Sequence, residues 1–450
     1  MRIIRKTQLS LFCQWNDHKL SKELQKISEI LDRHPEFVDW VHADLSKGKE
    51  NTGDIGMSSD QVLRAAIIKQ VRGLSYEQLA FNVVDSGSTR AFMKLDLGEK
   101  YGSSCLQDNI SKISEATWEL INVALVLDAK DSGFEDCKTV RVDSTVTDTN
   151  IHYPTDSSLL YDCLRVIHRE FLNARKIADK QSWRLVSQQQ VKEAKTLNYK
   201  INNAKNDEER LPHYKKLLRL LEGIAKDLPS IIRRIEKELA KKEKLLRSLE
   251  QLKNVQLYLE KVIYQTTKRV IKGQTIPAVK KIVSIFEPHS DIIVKDRRET
   301  QFGHKIFVTS GKSNMILNCD IPRGNPCDSE MFLPTLNSIK TSYGVVPRKT
   351  SADGGFSSKE NVVEAKGMGV KDVCFPKRCG MEITDMVKSA WVFKNLLNWR
   401  AGIEGLISFL KRCFGLGRAN WKGFEGFKAC VRSGVASYNL VVLAKLELKY

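Results

Sequence analysis

The chain has 450 residues, too many for one ordinary core, and 42% hydrophobic with 28% charged residues is a globular rather than a disordered or fibrous composition. No run of about 18 apolar residues occurs, so no membrane span is expected. The opening stretch, Met1 to Cys13, pairs basic residues with no long apolar segment, so no secretory signal and a cytoplasmic location are expected. The net charge of +19 implies a polyanionic partner, with nucleic acid the first candidate. An anionic membrane surface comes second, and no amphipathic helix with aromatic anchors stands out to support it. None of the ten cysteines forms a C-x-x-C pair, and Cys374 with Cys379 or Cys319 with Cys327 lack zinc-ligand spacing, so scattered reduced thiols are expected.

Residues 1–130 read as a helical N-terminal domain, helical from Lys19 to about Ala129. Ser59 to Gln70 carries a capping signature and apolar residues at helical spacing, Gly73-Leu74-Ser75 breaks it, and Tyr76 to Val84 reads as a second short helix. Helix, glycine turn, helix suits either a DNA-binding helix-turn-helix or a small packed bundle. Thr139 to Asp143 alternates and is β-branched, which predicts a strand ending at Asp143, followed by a polar turn over Ser144 to Asp148. Residues 131–164 are taken as the first part of an α/β core.

Residues 165–275 read as a helical-hairpin insertion of two or three long helices, interrupted at Asn206 to Pro212 and at Pro229. Residues 165–270 hold 26 Lys and Arg against 13 Asp and Glu, an excess of 13, about two thirds of the net charge. So one-sided a balance suits a DNA-backbone surface, while the recurring Leu and Ile suit a coiled-coil assembly face.

Residues 276–450 return to mixed α/β. Asp291 to Lys295, His304 to Val308 and Met315 to Cys319 read as an antiparallel meander. Then follow a helix over Ser329 to Tyr343, a strand over Pro347 to Ala352, a helix over Ser357 to Gly367 and a strand over Val370 to Pro376. One long helix from Thr384 to about Phe414, closed by Gly415 to Asn420, precedes helix signals from Trp421 onward.

Three carboxylates fall at telling places in this order. Asp143 and Asp353 end strands, and Glu404 lies in a helix that would pack on the sheet. Carboxylates placed so can meet in one site, and two divalent metals need such oxygen ligands for in-line phosphoryl transfer. Hard oxygen donors point to Mg²⁺ or Mn²⁺, two ions. Taken singly, an Asp at a strand end is more often a turn former and a Glu in a basic helix a solvated charge. The order strand-Asp, meander, helix, strand-Asp, helix, strand, helix-Glu is that of an RNase H-like core with a large insertion after its first strand.

The sequence resembles the DDE transposases of bacterial insertion sequences, most closely the ISNCY-type group. The resemblance rests on Val142-Asp143-Ser144-Thr145, on Ala352-Asp353-Gly354-Gly355-Phe356, and on Arg400-x3-Glu404-x6-Lys411, which matches the R-E-K part of a Y-x2-R-x3-E-x6-K signature whose tyrosine place is Leu397 here. His152 to Ser157 and Phe302 to Lys305 also resemble the group. The resemblance implies that Asp143, Asp353 and Glu404 hold the metals. Arg400 and Lys411, on the same helix stripe as Glu404, would grip phosphates beside the scissile bond; a plain ion pair of Arg400 with Glu404 is the alternative. His152 and His304 would be packed or hydrogen-bonded rather than metal ligands. It further implies hydrolysis at the element's ends, attack of the exposed 3′-OH on target DNA, double-stranded DNA as partner and a homo-oligomer on that DNA. A nuclease with the same core and no strand transfer, or a non-catalytic nucleic-acid-binding protein, are the rival functions.

Overall fold

The computed structural model describes residues 3–4, 15, 17–48, 56–96, 98–239, 242–294 and 299–449. Most of Met1 to Cys13 and Lys295, at the end of one expected strand, lie outside them. In chain order the elements are α1 (Lys19–Arg33), α2 (Pro35–Ser46), α3 (Ser59–Val71), α4 (Tyr76–Asp85), α5 (Gly87–Phe92), α6 (Ser103–Ile110), α7 (Glu115–Asp131) and β1 (Thr139–Thr149). Next come α8 (Asp156–Ala178), α9 (Gln188–Asn203), α10 (Asp207–Leu239), α11 (Leu246–Thr266), β2 (Asp291–Ile293), β3 (Gln301–Ser310) and β4 (Ile316–Asp320). The chain continues with α12 (Asp328–Tyr343), β5 (Lys349–Ala352), α13 (Lys359–Gly367), β6 (Asp372–Cys374), α14 (Ile383–Met386), α15 (Ala390–Cys413), β7 (Arg418–Ala419) and α16 (Gly423–Leu448). These fall into two compact units, one of Met1–Asn150 with Gly303–Tyr450, the other of Ile151–Phe302. No helix among the described residues is long and apolar enough to cross a membrane.

The first unit is built on a mixed sheet whose strands lie in the order β4-β3-β1-β5-β6. β3 is antiparallel to β1 and to β4, β5 is parallel to β1, β6 is parallel to β5, and the short β7 runs parallel beside the end of β1. β1 is longer than expected. It does not end at Asp143 but continues to Thr149, paired with β3 from Arg141 opposite Ser310 to Asp148 opposite Gly303. The residues taken for a turn include Thr145, Val146 and Thr147, which favour strands, and Ser144, Thr145, Thr147 and Thr149 are buried with their backbone groups in the ladder. Gly303 is required by this pairing, since a Cβ there would stand 2.0 Å from the carbonyl oxygen of Thr147.

Helices α1 to α7 share one apolar core with the sheet and α16 rather than closing a core of their own. Asn439 on α16 ties them together in the interior. Its side chain accepts from the Ile316 amide of β4 at 2.8 Å and donates to Ile316 O and to Asn122 Oδ1 of α7, each at 2.8 Å. The helix–glycine–helix pattern is present, with Gly73 at φ +62° and a capping box at Ser58 and Gln61, one residue earlier than the sequence suggested. α3 is buried along nearly its whole length. The exposed side of α4 carries Glu77, Phe81, Val84 and Asp85, and the helix has no Lys or Arg to set against phosphate.

The second unit encloses its own core, drawn from α8, α9, α10 and α11, with Leu160, Cys163, Leu217, Leu221, Leu252 and Leu259 among its buried members. Four helices stand where two or three were expected. The interruption expected at Asn206 to Pro212 falls at residues 204–206, between α9 and α10, while Pro212 and Pro229 themselves do not interrupt a helix, since both lie inside the 33-residue α10. A helix-interior proline removes a hydrogen bond at about 3 kcal/mol. Burial of Leu217, Leu218, Leu221, Ile224, Leu228, Ile231, Ile232 and Ile235 along one side of α10 outweighs it, at roughly 1.5–3 kcal/mol for each fully buried side chain.

The helical layer of the first unit holds a fully buried cation. Arg64 on α3 donates from Nε to Asp60 Oδ1 at 2.7 Å, from Nη2 to Asp32 Oδ1 at 2.8 Å, and from Nη1 to Ser28 Oγ at 2.8 Å and Phe92 O at 3.0 Å. Breaking a buried pair leaves an uncompensated charge, which costs about 3–5 kcal/mol. Arg64→Ala is therefore expected to lower unfolding free energy by about that amount in urea titration. A loss below ~1 kcal/mol would mean that Lys94, 3.6 Å from Asp60, suffices alone.

Candidate active site

Parallel pairing sets Val142 of β1 beside Ala352 of β5. The next residue on each chain is an aspartate, so Asp143 and Asp353 emerge side by side, the first inside a strand and the second just past a strand's end. α15 crosses this place and supplies Arg400 and Glu404. The sequence read one helix from Thr384 to Phe414. The structure has two, α14 and α15, separated by extended residues at Val387 and Ser389. Ser389 caps α15 by accepting from the Val392 amide at 3.3 Å, and this fresh start sets which side of α15 meets the sheet.

The three carboxylates converge on a single guanidinium. Arg400 Nη1 lies 3.7 Å from Asp143 Oδ2 and 3.5 Å from Asp353 Oδ1, and Nη2 donates to Glu404 Oε1 at 3.4 Å. These are ion-pair distances rather than tight hydrogen bonds. The side chains of Asp143 and Arg400 are 14% and 15% exposed, those of Asp353 and Glu404 51% and 67%. The cluster thus has a buried base and an open rim. Asp143 Oδ1 also accepts the Ser144 amide at 2.7 Å, which fixes the carboxylate's direction.

Lys411, half-buried two turns further along α15, acts on a different carboxylate. Its charge falls on Asp148 near the end of β1, as does that of Arg418; burial raises the Asp148 carboxyl above the usual range, and these two cations oppose the rise. Arg412 is exposed and donates to Ser408 O at 3.3 Å. The two histidines lie in packed or hydrogen-bonded settings. His304 is buried edge-on to Phe424 and Phe427, with ring centres 4.9 and 4.8 Å away, and His152 Nε2 stands 3.3 Å from Asp162 Oδ2.

Arg141 is a site residue that sequence reasoning missed. It precedes Asp143 by two positions, hence points to the same face of β1, and that period-2 relation was the available signal. Its guanidinium is buried and joins three elements. Nε donates to Ser310 Oγ of β3 at 2.8 Å, Nη2 to Asn314 Oδ1 at 2.6 Å, and Nη1 to Trp399 O of α15 at 2.7 Å, with the Trp399 ring centre 4.9 Å away. Burial lowers its pKa from the ordinary arginine value. α15 can approach so closely because residue 402 is glycine; a Cβ there would stand 2.5 Å from Arg141 Nη1.

As a donor set the three carboxylates offer only hard oxygens, which suits Mg²⁺ or Mn²⁺. The neighbouring thiol of Cys374 is pushed up to about 11 by burial, so it stays protonated and is no thiolate ligand. Among the described residues no three His, Cys, Asp or Glu side chains are already arranged around a cation position. Asp143, Asp353 and Glu404 are arranged around the Arg400 guanidinium, and a divalent cation would compete for the same oxygens. The nine cysteines among the described residues form no disulfide, and Cys13 lies outside them.

Residues 273–440 match the family of the transposase DDE domain. The match spans Asp353, Arg400, Glu404 and Lys411 but not Asp143, which the β1–β5 register and Arg400 bring to the same place. No curated protein and no solved structure matches the chain.

The close packing of α15 on β1 makes Gly402 and Arg141 interdependent. Gly402→Ala would force the guanidinium or α15 to move, and overpacking of this kind costs about 1–3 kcal/mol. The variant is expected to unfold at lower urea and to bind Mn²⁺ more weakly, followed by paramagnetic resonance. Wild-type values for both would mean that the helix shifts without disturbing the carboxylates.

Proposed function

We propose that this chain is a DNA transposase of an insertion sequence, hydrolysing a phosphodiester at each element end and joining the exposed 3′-OH to target DNA. The observation that carries the reading is the convergence of Asp143, Asp353 and Glu404, from two parallel strands and one helix, on the single charge of Arg400. The core is read as RNase H-like, with an insertion between its first two strands. The sheet order and the mixed strand directions support this.

In this reading Asp143, Asp353 and Glu404 would hold two divalent ions, Mg²⁺ or Mn²⁺, which would supply charge stabilisation for phosphoryl transfer. The chain's own residues do the rest. Asp143, oriented by the Ser144 amide, is the buried member, while Glu404 stands at the exposed rim and accepts from Arg400. Arg400 holds the three carboxylates together against their mutual repulsion and can turn a guanidinium edge to a phosphate. Lys411, offset by two turns, offers a second cation toward the backbone. The partner is double-stranded DNA, the element's terminal inverted repeats and the target, engaged by a homo-oligomer in the cell's cytoplasm.

Asp143→Asn, Asp353→Asn and Glu404→Gln are each expected to lower cleavage at least 100-fold in Mg²⁺ while leaving gel-shift affinity for terminal DNA within a few-fold, since affinity comes mostly from Lys and Arg. Full cleavage by any one variant removes that residue from the site. A strand-transfer assay on the repeats flanking the gene separates a transposase from a nuclease with the same core. Arg400→Ala and Lys411→Ala should reduce cleavage more than they reduce binding. If both cut at the normal rate, the two residues are structural.

A further inference from the structure

The second unit's charge is concentrated on one side of one helix. In an α-helix successive residues turn by about 100°. On that basis Lys215, Arg219, Lys226, Arg233 and Lys237 of α10 fall within about 40° of one another. The buried Leu217, Leu221, Ile224, Leu228, Ile231 and Ile235 centre about 180° away. So α10 has an apolar side packed into the unit and a cationic side directed to solvent, where all five residues are exposed.

Neighbouring charges sharpen this division. Glu236 is taken up by Lys253 of α11 at 2.6 Å, and Glu238 faces Lys180 at 3.6 Å. Asp227 lies on the flank, so Glu222 is the one acid of α10 between Lys215 and Lys237 that falls within the stripe. None of the five cations is in an ion pair among the described residues. A solvated helix face of no further use would carry both signs near balance, with i,i+4 pairs. From Lys215 to Lys237 the stripe is about 33 Å long at 1.5 Å per residue, close to one turn of a B-form duplex, which bears a phosphate charge about every 1.7 Å of axis.

We propose that this face of α10 is a sequence-blind track for the phosphate backbone of duplex DNA. It rests on the transposase reading for the identity of the polyanion, but not on the carboxylate site. The stripe holds no aromatic or amide side chain to read a base edge, so it adds affinity and alignment without specificity. A dimer seam, the other occupant of an exposed helix face, would set five like charges against a copy of themselves.

The test uses the full chain in EDTA, where binding proceeds without chemistry and the carboxylate variants have no bearing on the result. Affinity for a duplex of unrelated sequence is measured over a salt series for a variant with Lys215, Arg219, Lys226, Arg233 and Lys237 each changed to Gln. A control carries the same loss of charge at Lys176, Lys192, Lys200, Lys244 and Lys261, exposed positions off the stripe. The stripe variant is expected to bind at least 10-fold more weakly, and its slope of log affinity against log salt to become shallower by about 3–4. The control should lose less than half as much in slope, and Glu222→Lys, which cannot fail for want of charge, should steepen it. Equal losses in stripe and control overturn the track in favour of diffuse attraction. An unchanged slope with a lower mass by light scattering overturns it in favour of assembly.

Discussion

The close approach of α15 to β1 is the contact on which the site depends. Arg141 makes it possible because a guanidinium is a flat fork that can serve a strand hydroxyl, a loop amide and a helix carbonyl at once. A shorter donor would reach one of them. The arrangement also explains why a group whose burial opposes its charge is retained. Each donating nitrogen has an acceptor at 2.6–2.8 Å, and a buried cation is tolerable when it is hydrogen-bonded in this way. With Trp399 held over Arg141, the next residue of the helix is Arg400. The position of the carboxylate cluster is thus set by a polar contact one residue away.

Three carboxylates around one guanidinium leave the cluster with a formal excess of two negative charges. Such a group repels itself most strongly at its buried base, where Asp143 is least exposed, and this is the side on which Arg400 sits. At the open rim, where Asp353 and Glu404 meet water, screening does the same work less expensively. The polarity of the site, rigid below and adaptable above, follows from this gradient. A phosphate approaching the rim would meet exposed carboxylates, so in the proposed reading the site would act on a polyanion only together with positive charge brought to it. Lys411 and Arg418, gathered around Asp148 on the same strand, extend the cationic side of that balance.

Much of this was legible from residue order. β-Branched alternation located β1, the run before Asp353 located β5, and the four-residue offset of Arg400 from Glu404 already required one helix side. What the sequence concealed has physical causes. Ser144 to Thr149 looks polar, yet its pairing with β3 overrides composition. The break before Ser389 is hidden because the residues on either side of it keep a helical pattern. Pro229 reads as a stop in isolation, but the apolar residues around it bury a full side of α10. Arg141 looked like one more basic residue until the strand's neighbours were known, and the merging of α1 to α7 with the sheet depends on buried contacts such as Asn439 with Asn122 that span over three hundred positions.

The insertion's place in the chain is consistent with this division of labour. β1 and β3 are adjacent antiparallel strands, and Asp148 opposite Gly303 closes their pairing, a junction that a short hairpin loop could bridge. The ordering entropy of a longer connection there grows only with the logarithm of its length, and the second unit meets its own requirement by burying its own core. Since residues 165–270 carry an excess of 13 positive charges out of a net 19, the unit holding the carboxylates is left only modestly basic. Cations around Asp143, Asp353 and Glu404 are then the local ones, Arg400 first among them.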